Sequence, residues 1–129
     1  MAIVLNFYQE MLMDHYRNPR NSGIIDQCDF HSEQRNTSCG DEVVFTGIIK
    51  NNMLVEVTFR GKGCVISQAT ASLLSEHVKN KPLDAILALD KDDLIAMIGM
   101  QLGPVRLLCG LLSLMALQSG ICEYKARNG

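Results

Sequence analysis

Two runs dense in β-branched and aromatic residues, 42–50 and 53–60, are separated by nothing but Asn51-Asn52. Asparagine tolerates the positive φ values that a tight type I′ turn demands, so the pair is predicted to fold as a β-hairpin with a two-residue loop. So short a loop sets the register. With Lys50 opposite Met53, Ile48 faces Val55, Thr46 faces Val57 and Val44 faces Phe59, which makes one largely apolar face. The glycine turns Ser38-Cys39-Gly40-Asp41 and Gly61-Lys62-Gly63-Cys64 flank the hairpin. Continued through them without a bulge, the same register sets Cys39 opposite Cys64, with Asp41 alongside.

The remaining elements follow from periodicity and punctuation. A helix is predicted over 7–17, capped by Asn6 and stopped by Asn18-Pro19, with Phe7, Met11 and His15 on one stripe and Tyr8, Leu12 and Tyr16 beside it. Residues 28–35 read as a further strand next to the hairpin. After Cys64 the period changes to four, Val65-Ala69-Leu73 and Ile66-Thr70-Leu74, which predicts a helix over 65–78 with Cys64 at its start. Ser67, Ala69, Ala71 and Ser72 would let that helix lie close to the sheet. A short helix at 82–87 follows, then one capped by Asp90 and Asp93 and ended by Gly99. Gly103-Pro104 opens a last helix that runs to about Gly120 and carries Cys109 in its second turn. The expected fold class is therefore α+β. A three-stranded antiparallel sheet is packed by an N-terminal helix and several C-terminal helices, in a single domain over 1–129.

Composition narrows the function classes. The chain has 129 residues, 47% of them hydrophobic, enough for a core without covalent staples. The net charge is −2 and the cations are scattered, which argues against a nucleic-acid partner. The apolar stretch 94–117 is interrupted by Gln101, Gly103, Pro104 and Arg106, so two packed helices explain it better than a membrane span. The N-terminus lacks the basic start and long apolar run of a signal peptide. With five cysteines, an odd number, reduced thiols in the cytoplasm are expected. Paired cysteines would also suit a disulfide, and buried cysteines can be plain core residues, but metal or sulfur chemistry is the preferred reading.

Cys64, at a helix N-terminus, feels the positive end of the helix dipole, which favours the thiolate that binds metal or attacks sulfur. Cys39, Cys64 and Cys109 with Asp41 make a three-sulfur, one-oxygen set, suited to zinc or to a partly exposed iron–sulfur cluster. A hard carboxylate is a poorer match than thiolate for a soft metal centre, so Asp41 would keep such a site labile. The other candidates have plainer readings. Cys28 and Cys122 are structural thiols, His15 is a packed histidine, His77 lies on a helix pattern and His31 on the surface. Met11, Met13, Met97, Met100 and Met115 fill the core.

Cys39-Gly40-Asp41, the segment Gly63-Cys64-Val65-Ile66-Ser67-Gln68-Ala69-Thr70-Ala71-Ser72, a third cysteine on the final helix, and Asp14-His15-Tyr16-Arg17-Asn18-Pro19-Arg20-Asn21 together resemble the IscU/SufU/NifU-N family of iron–sulfur assembly proteins. The resemblance covers nearly the whole chain. It implies a scaffold that accepts sulfur from a cysteine desulfurase, builds a transient [2Fe-2S] cluster on Cys39, Cys64 and Cys109, and passes it to apo-proteins. It implies alternatively a zinc-dependent persulfide acceptor of the SufU kind, with zinc on Cys39, Asp41, Cys64 and Cys109 and persulfide on Cys109. Two departures bear on subtype. Leu108 stands where IscU-type members place a histidine, and Arg106 is more like SufU, yet the interval from Cys64 to Cys109 is IscU-like. In Leu102-Gly103-Pro104-Val105-Arg106, Gly103 and Arg106 differ from the segment read by an Hsp70-type chaperone, which counts against that partner.

Overall fold

The computed structural model describes residues 2–38 and 40–128, and side chains from Phe7 onward within the first helix. In chain order the elements are α1 (Ala2–Arg17), β1 (Phe30–Asn36), β2 (Asp41–Lys50), β3 (Met53–Lys62), α2 (Val65–Val78), β4 (Lys81–Pro82), α3 (Leu83–Leu87), α4 (Lys91–Ile98) and α5 (Pro104–Asn128). The strands form one antiparallel sheet in the order β1-β2-β3-β4. The α+β class is as expected. Among the described residues the sheet has four strands rather than three, because the two residues of β4 add to β3 at Met53 and Leu54.

Asn51 and Asn52 take φ values of 55° and 61°, the left-handed pair that a type I′ turn requires. The register they set survives for only two pairs, Lys50 with Met53 and Ile49 with Leu54. Val55 is then skipped. Ile48 lies opposite Glu56, Thr46 opposite Thr58 and Phe45 opposite Phe59, so the predicted pairs Ile48/Val55, Thr46/Val57 and Val44/Phe59 do not form. A single extra residue in one strand moves every later residue of that strand by one position relative to its partner. Here the bulge changes which face Val57 and Phe59 occupy, and so joins them to Leu54. The face of β2 that joins the main core carries Val43, Phe45 and Ile49, with Gly47 between them, not the predicted Val44, Thr46 and Ile48; of those three Thr46 alone is buried, on the opposite face. Without the bulge, β3 would bury Glu56 and Thr58 beside Leu54.

That face packs against α2 and α5 through Leu74, Leu112, Leu117 and Ile121, each at most 5% exposed. Full burial of one such side chain contributes roughly 1.5–3 kcal/mol. Thr46 and Thr58 lie back to back with their hydroxyls in contact, and Ile25 N–H donates to Thr46 Oγ1, which brings the 21–25 segment over the other face. Ser22 forms a parallel bridge to Phe59, and Phe59 N–H and C=O bond Asn21 O and Gly23 N–H respectively.

A second core lies between α1, α2 and α4, built on Leu12, Ala69, Leu73, Leu94 and Ile98. Thus Ala69 and Ser72 bring α2 close to α1, while Ala71 joins the core shared with the sheet. The helix begins at Ala2, so Asn6 is inside it and does not cap it. Among its described side chains the buried ones are Leu12 and His15, whereas Phe7 is 64% exposed. The capping box of Asp90 and Asp93 and the left-handed Gly99 bound α4 as predicted. The last helix passes Gly120 and continues to Asn128. Gly120 serves a contact rather than a stop: a Cβ there would collide with Phe30 of β1. By length and hydropathy α5 qualifies as a span, but half of its most apolar stretch is buried against the protein. Met115 on its outer side is exposed rather than a core filler. Met11, Met13, Met97 and Met100 are half-buried.

His15 is packed, as expected. Its Nδ1 bonds Ser72 Oγ at 2.7 Å and its Nε2 lies 3.5 Å from Glu76 Oε1. Burial lowers its pKa, reinforced by Arg20 and opposed by Glu76 and Asp14. A histidine with a depressed folded-state pKa gains its proton more readily in the unfolded chain, so stability is lost as pH falls below about 6.5. Denaturation of the wild type is expected to shift to lower denaturant between about pH 7.5 and 5.5. His15→Gln should flatten that dependence, and an unchanged slope would remove the account. In the hairpin, Asn52→Gly should be neutral or stabilising, whereas Asn52→Ala should cost about 1 kcal/mol in the same measurement.

Candidate metal and sulfur site

Three elements converge at the open end of the hairpin. β2 contributes Asp41 at its first residue, α2 contributes Cys64 as its N-cap, and α5 contributes Cys109 in its second turn. One ligand atom from each lies within 4.8 Å of the other two. Cys39 falls in the sequence between β1 and β2 and lies outside the described residues. The expectation that it lies opposite Cys64 falls outside the described residues with it.

Asp41 organises the cluster. It is 1% exposed, Oδ1 accepts the Cys64 backbone N–H at 2.8 Å, and Oδ2 accepts from Cys64 Sγ at 3.6 Å. Cys64 has extended φ/ψ, as an N-cap must. Its Sγ accepts the Ser67 N–H at 3.4 Å, so the sulfur occupies the capping position in which an oxygen is usual. Ser67 Oγ donates to Cys64 O, and Gln68 Nε2 donates to Ser67 Oγ. The sulfur therefore sits at the N-terminal end of α2, within reach of its first backbone donors. Cys64 is exposed while Cys109 is 4% exposed. Burial pushes the Cys109 thiol up, and the adjoining Asp41 and Cys64 act in the same direction. With no metal bound, Cys109 is therefore a thiol at neutral pH, and a metal arriving there must displace its proton.

Gly63 makes this packing possible. Its φ is +140°, a conformation rare for other residues, and a Cβ at that position would overlap Asp41 Oδ1. The glycine beside Cys64 was the available sequence signal, yet its contact is with Asp41, which is remote in the chain. Sequence reasoning also missed Ser67 and Gln68, whose bonds hold the cap. Among the described residues Cys28, Cys64, Cys109 and Cys122 stand outside any disulfide. Cys28 and Cys122 lie apart from the cluster, as do His15, His31 and His77. Leu108 is 59% exposed and offers no donor.

A strand-borne carboxylate, a capping thiol and a second thiol on the last helix thus meet at one point. The chain belongs to the NifU-like N-terminal domain family, whose pattern it matches over residues 7–129. It is 29% identical to the zinc-dependent sulfurtransferase SufU of Bacillus subtilis strain 168, with 94% of this chain and 93% of that protein covered. It is 33% identical to the iron–sulfur cluster assembly scaffold protein IscU of Aquifex aeolicus strain VF5, with 95% and 78% covered. Among solved structures it resembles a protein described as a putative iron–sulfur cluster assembly scaffold for the SUF system of Fervidobacterium islandicum AW-1. That match has a TM-score of 0.74 and 26% identity, over 87% of this chain and 94% of that one.

Gly63→Ala tests the site's construction apart from its ligands. It should displace Asp41 and lower zinc affinity by about tenfold or more in a chelator competition, with the circular dichroism spectrum retained. Unchanged affinity would mean that Asp41's position does not matter to the metal.

Proposed function

We propose that this protein is an iron–sulfur cluster assembly scaffold. It accepts sulfur from a cysteine desulfurase, holds a transient [2Fe-2S] cluster as cargo on Cys39, Cys64 and Cys109, and passes it to apo-proteins. The convergence of Asp41, Cys64 and Cys109 from three separate elements carries this reading. Membership of the NifU-like N-terminal domain family and the named IscU relatives support it. A cytoplasmic setting accords with thiols that must stay reduced.

Sulfur delivery balances without an external oxidant. A cysteine thiolate attacks the outer sulfur of the donor's persulfide, a new S–S bond forms, the donor's S–S bond breaks, and the donor leaves as thiolate. Cys64 is exposed and presented at a helix N-terminus, so a donor reaches it without rearrangement. For Cys109 to carry the persulfide, the start of α5 must move outward, because the thiol is buried. Conversion of the sulfane sulfur to sulfide then draws electrons from a separate reductant.

A second reading, a zinc-dependent sulfurtransferase, is favoured by the Bacillus relative and by Leu108 in place of a histidine donor. The donor set fits zinc: Cys39, Asp41, Cys64 and Cys109 would hold it, three sulfurs and one oxygen being within its usual chemistry. Zinc there would supply positive charge that keeps the thiols deprotonated. Asp41 keeps its bond to the Cys64 backbone in either reading only if one oxygen remains free for the N–H.

Anaerobic reconstitution with iron, cysteine, a thiol reductant and a cognate desulfurase decides between them, with visible absorption followed and iron and zinc quantified on one sample. Stoichiometric cluster that moves to an apo-acceptor is the expected result, and retained zinc with faster sulfide release and no cluster would favour the sulfurtransferase. Serine at Cys39, Cys64 or Cys109 should each abolish loading; normal loading by all three would sink the assignment. Asp41→Ala should lengthen the life of the cluster that forms.

A further inference from the structure

The outer edge of β3 changes character along its length. Leu54 O accepts the Asn80 N–H beside β4, and Phe59 is bonded on both backbone groups by Asn21 and Gly23. Beyond Phe59 the covering segment leaves, because Ile25 N–H has already turned to Thr46. Backbone groups on a strand alternate in direction, so Gly61, two residues after Phe59, presents its N–H and C=O on the same outward side. Its pairing with Val43 of β2 has the same phase as that of Phe59 with Phe45.

This edge opens into a cleft of about 520 Å³, lined among others by Tyr16, Pro19, Arg60, Lys62, Gly63 and Gln68. The cleft ends at Gly63, the neighbour of the exposed thiol of Cys64. Glycine at 61 is required by the sheet, since a Cβ would run into the Glu42 carbonyl, and Gly61 itself lines the cleft. Arg60 and Lys62 are both exposed, and neither forms an ion pair among the described residues. By contrast Arg20, Arg35 and Lys125 are paired.

From the uncovered edge, the cleft and the two exposed cations, we propose that the Gly61 edge of β3 receives an extended acidic segment of the sulfur-donating protein by strand addition. Backbone bonds to Gly61 supply the register, and Arg60 and Lys62 select for carboxylates. A segment so held runs alongside Gly63 and comes level with Cys64. The proposal rests on the sulfur-accepting function above and adds to it the chemistry of the docking surface.

The experiment uses the full chain and the cysteine desulfurase of the same organism. Two quantities are read: their binding affinity, and amide hydrogen exchange resolved at Gly61 in the free protein and in the complex. The Gly61 amide should exchange readily in the free protein and be protected in the complex. The double variant Arg60→Glu, Lys62→Glu should bind at least about tenfold more weakly, with a flatter salt dependence. The same variant should load cluster normally from iron and inorganic sulfide, where no donor protein takes part. Full affinity in the variant, or Gly61 exchange unaltered by binding, overturns strand addition here. Protection produced by an apo-acceptor and not by the desulfurase also overturns it, since the segment would then belong to the recipient. Absence of any complex overturns it as well, and cluster loading from inorganic sulfide reports separately on the scaffold function.

Discussion

Asp41 spends one carboxylate oxygen on a backbone N–H, that of Cys64 at 2.8 Å, and the geometry of the site depends on that bond. It ties the first residue of β2 to the N-cap of α2, and so fixes where the helix starts relative to the sheet. A buried carboxylate needs such donors, since isolation from water would otherwise make its charge costly. The bond places Cys64 at the mouth of the site and sets Asp41 beside Cys109. Gly63 is the condition for it, because only a residue without a side chain fits between the strand and the carboxylate.

A metal site made this way is supported from the strand side and from the helix side independently. The β2–β3 hairpin is held by the core face of Val43, Phe45, Val57 and Phe59, whereas α2 is held by α1 and α5. Cys109 comes from a third direction, on a helix whose first turn is exposed at Val105 and Leu108. Of the described donors the carboxylate is therefore held by a backbone bond and by burial, and Cys109 rides on a helix whose start is exposed. An acceptor of cargo that must later be released is well served by that division.

Much of this is legible in the amino-acid sequence. The Asn51-Asn52 turn, the extent of α2, the capping box of α4 and the Gly103-Pro104 start of α5 are local features, governed by backbone preferences of a few adjacent residues. The grouping of Asp41 with Cys64 and Cys109 is legible too, because three glycine-flanked or helix-borne donors in a reduced chain have few other uses. The register is not. Both runs of the hairpin contain apolar residues at odd and even positions, so alternation alone does not say that Val55 will be skipped. The length of α5 escapes sequence reading for a related reason: Gly120 has the look of a helix stop and is in fact a contact point for Phe30.

What the sequence determined by itself is therefore the helices, the three longer strands and the candidacy of Asp41, Cys64 and Cys109 as neighbours, since turn chemistry, caps and side-chain type act over a few residues and need no distant partner. Tertiary structure alone decided which hairpin face is buried, that Asp41 would hold the Cys64 backbone, and that Cys109 would be covered while Cys64 is open. Those outcomes depend on close packing between residues far apart in the chain. A shift of one residue, or one added Cβ, changes the result, and no local preference records it.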